Sequence, residues 1–471
     1  MERQRHWNFT LVLVFALIFF ASAATVQAHE KSVVEEILDI LLANHQITQQ
    51  QYRYLLNKAK AEQRARSEQG SQKISSYDHP RKETEEVFPG NTKVDTYWED
   101  GLKFETENKE IKVGLGGKIH YDFGDVNRDH DVSRALGKNS ESGSKTRRTR
   151  LRVEGDVYKD FDFKAEYDFS SGDVEPKDVY LGVKKIPYVG SLQIGHTKEP
   201  FSLEELTSGS DVTFMERALP NAFAPKRNIG LFVHNSSFGE KLAWGLGISS
   251  ETNDNGNGFG EDNRYNLTGH LLAFPWYKND GASFLLLGTS FTHKFMDNGT
   301  KIRFKARPET HLTSSPLVDT RYIPSDGIDL VGTEAALVLD SFSLQSEYIH
   351  AFVNPQTGDK IDFDGCYIYG SYFITGEHRP YCDSKQAFGH VQPRRNFRLS
   401  GIGWGALEAA FRYSYLDLDD KQVHGGTLND YTLGLNWYLN PKARVMFNYV
   451  HSHLNKVGDT DIIQSRLQLD F

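Results

Sequence analysis

The chain has 471 residues, of which 38% are hydrophobic and 25% are charged, and its formal net charge is −9. This composition excludes a bundle of membrane-spanning helices, which needs repeated apolar runs of about 20 residues, and the negative charge argues against nonspecific nucleic-acid binding. Aromatic residues reach 12% and glycines number 40, which is typical of an all-β protein.

The N-terminus has the pattern of a secretory signal peptide. Arg3 and Arg5 supply positive charge, residues 11–20 form an apolar run, and residues 26–28 provide a plausible cleavage site. We therefore predict a signal peptide over residues 1–28 and an exported chain. A retained N-terminal membrane anchor is the alternative interpretation.

The next part of the chain changes from a helical to a linker composition. Apolar residues follow helical spacing within residues 29–66, which predicts a helical hairpin or a short coiled coil. A small packed hairpin and an oligomerising stalk both fit this segment. Residues 67–110 are polar and charged, which is typical of a linker, although part of Thr92–Phe104 is suited to strand pairing.

From Ile111 onward, apolar and polar residues alternate. In the first run Ile119, Tyr121 and Phe123 share one face, and Lys118 and His120 lie on the other face. Alternation over about 10 residues, repeated between turns, is the signature of a transmembrane β-barrel. A closed barrel with lipid outside and water inside satisfies both faces and leaves no free strand edge.

We therefore predict an all-β protein with a 16-stranded antiparallel transmembrane barrel over residues 111–471, an even number of strands as bacterial barrels require. Connections alternate between short and long, and residues 375–404 are the least regular part of the pattern. The long connections are expected at residues 124–145, 198–226, 252–263 and 294–327.

Several segments resemble one family of outer-membrane proteins. They are RRTRLRVEGDVYKDFDFKAEYDFS (147–170), LQIGHTKEPFSLEELTSGSDVTFMERALPNAFAPKRNIG (192–230), FITGEHRPY (373–381), GALEAAFRYSYLDL (405–418), LGLNWYLNPKARVMFNYV (433–450) and the terminal LQLDF. In this order and spacing they resemble the phosphate-selective porin O and P family. The resemblance implies a homotrimer of barrels in the outer membrane of a Gram-negative bacterium. It also implies contact with outer-membrane lipid and a passive, anion-favouring channel for phosphate or polyphosphate.

Four arginines lie within seven residues of the second predicted strand: Arg147, Arg148, Arg150 and Arg152. The last three share one strand face, and an arginine that faces lipid at the bilayer midplane costs about 2–4 kcal/mol, so this face is expected to meet water. Fixed cations that line a pore make it anion-selective, and the planar guanidinium suits phosphate.

The resemblance implies an anion-binding role for the pair Arg147 and Arg148. The alternative is that the strand arginines are balanced by neighbouring carboxylates, namely Glu154, Asp156 and Asp168.

The resemblance further implies that loop 198–226 folds into the barrel and narrows it. Phosphate-specific family members carry lysines in this loop after a Leu-Glu pair that corresponds to Leu203 and Glu204. This chain has Glu205 and Ser210 at those positions, which leaves phosphate specificity open.

Lys198, Lys226 and Arg227 are further anion-binding candidates, each equally explained as a partner of nearby carboxylates. No nucleophile with an oriented base and no metal-ligand spacing is recognisable. We therefore predict a channel rather than an enzyme, with no cofactor or metal. A weakly selective or organic-anion porin and a structural barrel with a periplasmic stalk are the alternatives. Cys366 and Cys382 are either bridged or free.

Overall fold

A computed structural model describes Tyr52 and residues 93–237, 241–252, 264–297, 299–399, 401 and 403–471. The predicted signal peptide and nearly all of the predicted helical segment lie outside the described residues. Gly90–Phe471 is one compact unit. Within the described ranges, no helix combines the length and the apolar character that crossing a membrane requires.

The described residues contain 23 strands and two short α-helices. The strands are β1 (Val94–Trp98), β2 (Leu102–Thr106), β3 (Ile111–Arg128), β4 (Glu141–Val157), β5 (Phe161–Asp168), β6 (Glu175–Ile186), β7 (Gly190–Lys198), β8 (Arg227–Ser237), β9 (Leu242–Ser250), β10 (Tyr265–Lys278), β11 (Ser283–Phe295), β12 (Lys301–Ile302), β13 (Lys305–Ala306), β14 (Val318–Asp319), β15 (Ile323–Leu339), β16 (Phe342–Pro355), β17 (Ile361–Phe373), β18 (Tyr381–Cys382), β19 (Ala387–Phe388), β20 (Ala406–Asp420), β21 (Val423–Asn440), β22 (Ala443–Leu454) and β23 (Gly458–Asp470). The helices are α1 (His130–Leu136) and α2 (Leu203–Leu206).

Sixteen strands form a closed antiparallel barrel: β3–β11, β15–β17 and β20–β23. Each strand pairs with its neighbour in chain order, and the barrel closes because β23 pairs with β3, with Asp470 opposite Lys118 and Thr460 opposite Arg128. The predicted 16-stranded barrel is therefore confirmed.

The alternation of the sequence sets the two faces of the wall. On β21 and β22, Leu433, Leu435 and Phe447 are exposed on the outer surface, whereas Asn436 and Asn448 on the opposite face are buried inside. Apolar side chains outside and polar side chains inside are the arrangement expected for a barrel between lipid and water.

A hairpin of β1 and β2 precedes the barrel and lies within the range predicted as a linker. β2 pairs with β3 from Leu102 opposite Leu115 to Glu105 opposite Lys112. The last residue of β23 lies opposite Lys118, so the preceding part of β3 has a free edge, and β2 pairs with it. The folded unit therefore begins before residue 111, the start that the sequence suggested for the barrel.

The two ends of the barrel differ in their connections. We call the end with the turns 158–160, 187–189 and 441–442 the turn end, and the opposite end the loop end. One connection departs from the predicted pattern, because residues 374–405 form a long connection at the turn end. This segment turns into the barrel, where Phe388 is buried.

Described parts of three long connections lie inside the barrel, whereas Leu399 and Trp404 near the end of the third are exposed. We call residues 199–226 inner loop 1, residues 296–322 inner loop 2, and residues 374–405 inner loop 3. Cys366 on β17 and Cys382 in inner loop 3 are both free thiols, so the disulfide that the sequence left open is not formed.

Candidate functional site

Inner loop 1 is held inside the barrel by three buried arginines of the wall, Arg412, Arg444 and Arg466. Arg444 donates to the carbonyl oxygen of Val212 at 2.9 Å, and Arg412 donates to that of Glu216 at 3.0 Å. Arg466 binds the Glu216 carboxylate at 2.7 Å. These contacts fix a loop that has little regular structure of its own.

The start of inner loop 1 is fixed by two buried carboxylates. Glu334 accepts a hydrogen bond from the amide of Leu203 at 2.8 Å, and Glu347 accepts one from the amide of Glu204 at 2.7 Å. Both amides belong to the first turn of α2, where unpaired N–H groups favour negative partners. The loop therefore begins at a fixed place on β15 and β16.

Two cavities lie along the barrel interior. The turn-end cavity has a volume of about 450 Å³ and reaches Phe471, and the loop-end cavity has a volume of about 650 Å³ and reaches inner loop 2. Four arginines line both cavities: Arg148, Arg150, Arg217 and Arg227. The two cavities, which we call the passage, therefore meet at a group of cations.

The passage is rich in positive charge although the chain is acidic. Among the described lining residues, the turn-end cavity has 11 Lys and Arg against 6 Asp and Glu, and the loop-end cavity has 11 against 5. The whole chain has 54 Lys and Arg against 63 Asp and Glu. Clefts lined by one sign of charge concentrate ions of the opposite sign, so the passage favours anions.

A β-bulge brings two neighbouring arginines to the same face of β4. Arg148 pairs with His120 and Thr146 pairs with Tyr121, so Arg147 has no partner on β3. Such an extra residue interrupts the alternation of the strand. Arg147 and Arg148 therefore both face the interior, which a regular strand does not allow.

Three of the four predicted strand arginines have carboxylate partners. The pairs are Arg147–Glu216 at 2.8 Å, Arg150–Asp168 at 2.7 Å, Arg150–Glu166 at 2.8 Å and Arg152–Glu154 at 3.4 Å. For these three arginines, the contacts fit the alternative that neighbouring carboxylates neutralise their charge. Asp156, which was considered a balancing residue, pairs with Lys184 instead.

Arg148 differs from the other three. Its side chain lines both cavities and has no Asp or Glu partner in the part of the chain that the structure describes. Nη1 donates to Nδ1 of His120 at 3.1 Å, and the Nε2 atom of that neutral ring faces Asp470 at 3.4 Å. Nε and Nη2 have no hydrogen-bond partner among the described residues. Unused guanidinium donors are what an oxyanion requires.

Sequence reasoning missed several cations of the passage, among them Lys118 and Arg217. Lys118 lines the turn-end cavity, and its side chain has no ion pair or hydrogen bond within the described ranges. The alternation had already placed Lys118 on the water face, and this was the available signal. Arg217 of inner loop 1 lines both cavities, and its side chain donates to the carbonyl oxygens of Glu204 at 2.9 Å and Thr207 at 2.7 Å. No sequence pattern predicts the path of that loop.

The further anion-binding candidates also lie along the passage. Lys198 donates to carbonyl oxygens at the end of α2 and lies 3.7 Å from the Glu205 carboxylate, and Arg227 pairs with Asp178 at 2.7 Å. Lys226 is exposed beside the loop-end cavity, and it has no ion pair among the described side chains.

The two residues that depart from the family pattern have defined surroundings. Glu205 is buried and lies 3.4 Å from Arg217. Burial opposes ionisation of this carboxyl, but Arg217 and Lys198 bring its pKa below the ordinary value. The Ser210 hydroxyl lies 3.5 Å from Nε2 of His120. Within inner loop 1, Arg217 therefore neutralises the charge of Glu205.

Histidines near strand ends pair with aspartates. His451 lies 2.8 Å from Asp461, and His453 lies 2.6 Å from Asp459. Within the described ranges, no group of three or more His, Cys, Asp or Glu side chains is placed to hold a metal ion.

Comparison with known proteins assigns the family. The family model for phosphate-selective porin O and P matches residues 113–471. An uncharacterized protein of Caulobacter vibrioides is 28% identical over 405 residues, covering 81% of this chain and 78% of the relative. Porin O of Pseudomonas aeruginosa is 23% identical over 415 residues, covering 79% of this chain and 91% of that protein. The solved anion-selective porin from Comamonas acidovorans aligns with a TM-score of 0.49 at 12% identity, covering 77% of this chain and all of that one.

The family match includes all 16 barrel strands except the first two residues of β3. Together with the cationic passage, it indicates an outer-membrane channel for anions rather than an enzyme. The chain belongs to the phosphate-selective porin O and P family.

Proposed function

We propose that the channel conducts small anions passively, that phosphate is among them, and that Arg148 is the principal anion-binding residue. One observation carries the proposal: Arg148 lines both cavities, and its Nε and Nη2 nitrogens have no hydrogen-bond partner among the described residues. A positive group at this place lowers the electrostatic barrier for anions and raises it for cations.

The other candidate residues have supporting roles in this proposal. Arg147 binds Glu216 and so fixes inner loop 1 beside Arg148. Arg150, Arg152, Lys198 and Arg227 are paired, and they contribute mainly to the field along the passage. Lys226 is exposed, unlike the other candidate cations, and it attracts anions at the loop end.

A weakly selective anion porin is the second candidate function. It is favoured by Glu205 and Ser210, which stand where the resemblance places lysines. The field of Lys118 and Arg148 attracts any small anion, whereas phosphate selectivity additionally requires hydrogen bonds from a fork such as that of Arg148.

We propose a periplasmic location for the N-terminal segment, and the even number of strands supports it. β3 begins and β23 ends at the same end of the barrel, the turn end. Short turns are periplasmic in outer-membrane barrels, so the proposal places residues preceding β1 in the periplasm. The proposed homotrimer rests on the family resemblance, and the mass of the purified protein in detergent tests it.

The function is tested by electrical recording in planar bilayers. We expect the native channel to give a reversal potential that favours chloride over potassium in asymmetric salt, and we expect phosphate to block the chloride current. Arg148→Ala should shift the reversal potential towards potassium and weaken the block, because it removes an uncompensated cation from the passage. Lys138→Ala is the control, since Lys138 is an exposed cation that lines neither cavity. Unchanged selectivity in Arg148→Ala would show that Arg148 is not the anion site.

A further inference from the structure

Gly209 of inner loop 1 packs against the flat face of the Arg148 guanidinium. A Cβ atom added at Gly209 would lie 2.8 Å from both Cζ and Nη2 of Arg148 and 3.2 Å from Nε. Because Cζ is as near as Nη2, the added carbon would lie over the plane of the guanidinium. Two carbon atoms do not approach to 2.8 Å without one of them moving.

Space, and not backbone conformation, accounts for a glycine at this position. Gly209 is not among the glycines with a positive φ, so its backbone is accessible to any residue. A side chain at this position is excluded because the Arg148 guanidinium occupies the space that its Cβ atom would need.

The loop cannot easily retreat from Arg148, since the neighbouring residue is fixed to the wall. The carbonyl oxygen of Ser210 accepts hydrogen bonds from Arg444 at 3.1 Å and from Gln468 at 3.0 Å. A side chain at Gly209 would therefore displace the guanidinium rather than the loop.

The displaced group would lose a particular orientation. Arg147 and Arg466 each use the Nε–Nη2 edge to bind a carboxylate through two hydrogen bonds, to Glu216 at 2.8 and 3.0 Å and to Asp122 at 2.6 and 2.7 Å. On Arg148 the same edge has no partner in the described part of the chain. Its Nη1 atom is occupied by His120.

We propose that Gly209 is a positioning residue that orients the Arg148 guanidinium, so that its Nε–Nη2 edge binds a small oxyanion through two hydrogen bonds. The ligand class is an anion with two acceptor oxygens on one atom, such as phosphate, sulfate or a small carboxylate. The inference rests on the proposed function. It goes further, because the charge of Arg148 alone attracts chloride and phosphate alike, whereas the fork distinguishes them.

The test separates attraction by charge from binding by the fork. In the full-length channel, we measure the chloride-to-potassium permeability ratio and the phosphate concentration that halves the chloride current. Gly209→Ala should raise the half-blocking concentration about tenfold, the effect of losing a hydrogen bond to a charged group, and should leave the permeability ratio unchanged. Gly143→Ala is the matched control, because a Cβ at Gly143 would have no atom within 4 Å.

A double-mutant cycle tests whether Gly209 acts through Arg148. Arg148→Lys keeps the charge and removes the fork, so it should weaken the block by a similar factor, and Gly209→Ala should add little to it. Heat-modifiable migration in gels verifies that each variant is a folded barrel. If Gly209→Ala does not fold, Arg148→Lys alone decides, because an unchanged phosphate block in this variant overturns the inference.

The outcomes distinguish this inference from the proposed function. If Arg148→Ala keeps the anion preference of the native channel, the proposed function is contradicted. A channel whose selectivity depends on Arg148, but whose phosphate block is the same in Gly209→Ala and the native protein, contradicts only the role of Gly209.

Discussion

His311 of inner loop 2 lies between two arginines and a carboxylate. Its Nδ1 atom accepts a hydrogen bond from Arg307 at 2.8 Å, and its Nε2 atom lies 3.1 Å from Glu216. Burial lowers the pKa of His311 to about 4, and the nearby Arg147 and Arg307 act in the same direction, against Glu216. The neutral ring satisfies both contacts, since one nitrogen accepts and the other donates.

The lowered pKa predicts a loss of stability in acid. An unfolded histidine has a pKa of about 6.5. Between pH 6.5 and about 4, His311 is therefore protonated in the unfolded state and neutral in the folded state. Stability therefore falls as pH falls through this window. In His311→Gln, whose amide can also accept and donate, the temperature at which the barrel loses its folded gel migration should fall less between pH 7 and pH 4. An equal fall in both proteins would contradict the assignment.

At the residue scale, the sequence predicts that the strand arginines face water but not which of them is free. Arg147 and Arg148 are adjacent and chemically identical, yet Arg147 is neutralised and Arg148 is not. The partner of Arg147, Glu216, belongs to a loop whose path no periodicity describes. Gly209 carries no sequence signal for the same reason, because its role depends on where the loop meets Arg148.

At the element scale, the alternation predicts the strands but not the bulge at Arg147. Strands between lipid and water have one apolar and one polar face, and this is why apolar and polar residues alternate along the barrel sequence. The bulge has one sequence signal that was available. Two adjacent arginines within a strand cannot both face water unless the alternation is interrupted, and either of them costs about 2–4 kcal/mol when it faces lipid at the midplane.

The β1–β2 hairpin gives a prediction about the start of the folded unit. It pairs with β3, and its side chains reach the barrel through the ion pair of Lys103 with Glu154 at 3.3 Å. The carbonyl oxygen of Asp100 also accepts a hydrogen bond from Arg152 at 2.9 Å. We expect a chain that starts at Lys109 to form a barrel that loses its fold at a lower temperature, because the freed edge of β3 lacks a partner.

A chain that starts at Lys93 is the control for this truncation, since it keeps the hairpin and lacks the same upstream residues. The two shortened proteins are refolded in detergent and compared by heat-modifiable migration. If they unfold at the same temperature, the hairpin does not contribute to the stability of the barrel.

At the scale of the whole molecule, charge is separated between the passage and the rest of the chain. Lys and Arg outnumber Asp and Glu by about two to one in the described lining of both cavities, although the chain has a net charge of −9. The field in the passage therefore arises from where charges lie and not from their total. Composition alone, which is acidic, would predict the opposite ion preference.

This separation predicts a strong dependence of selectivity on ionic strength. The Debye length falls from about 10 Å at 0.1 M to about 3 Å at 1 M salt. At high salt the wall cations therefore attract permeating anions only over a short distance. We expect the chloride-to-potassium permeability ratio to fall towards the ratio of free mobilities as salt rises at a fixed gradient. A ratio that does not change with salt would indicate selection by size and would contradict the electrostatic account.

The global fold is the most predictable part of this protein, and the filling of the barrel is the least. Strand number and closure follow from a repeated physical requirement, namely that every strand has one face in lipid and both edges paired. Inner loop 3 follows no such requirement. It departs from the short turns of its end of the barrel because residues such as Phe388 fill space inside, and only the finished barrel defines that space.

The closing contact of the barrel has a consequence for how the protein is made. The amide of Phe471 donates to the carbonyl oxygen of Gly117 at 2.8 Å, and the amide of Gly117 donates to that of Phe471 at 2.6 Å. Gly117 lies on β3, the first strand of the barrel, and Phe471 directly follows β23, the last one. The cylinder therefore cannot close before the residues of β23 have been made.

Until release from the ribosome and delivery to its membrane, the polypeptide has unpaired strand edges that can associate with other chains. A chain that lacks β23 leaves β22 and β3 with free edges, so the sheet closes into a pore only when all 16 strands are present.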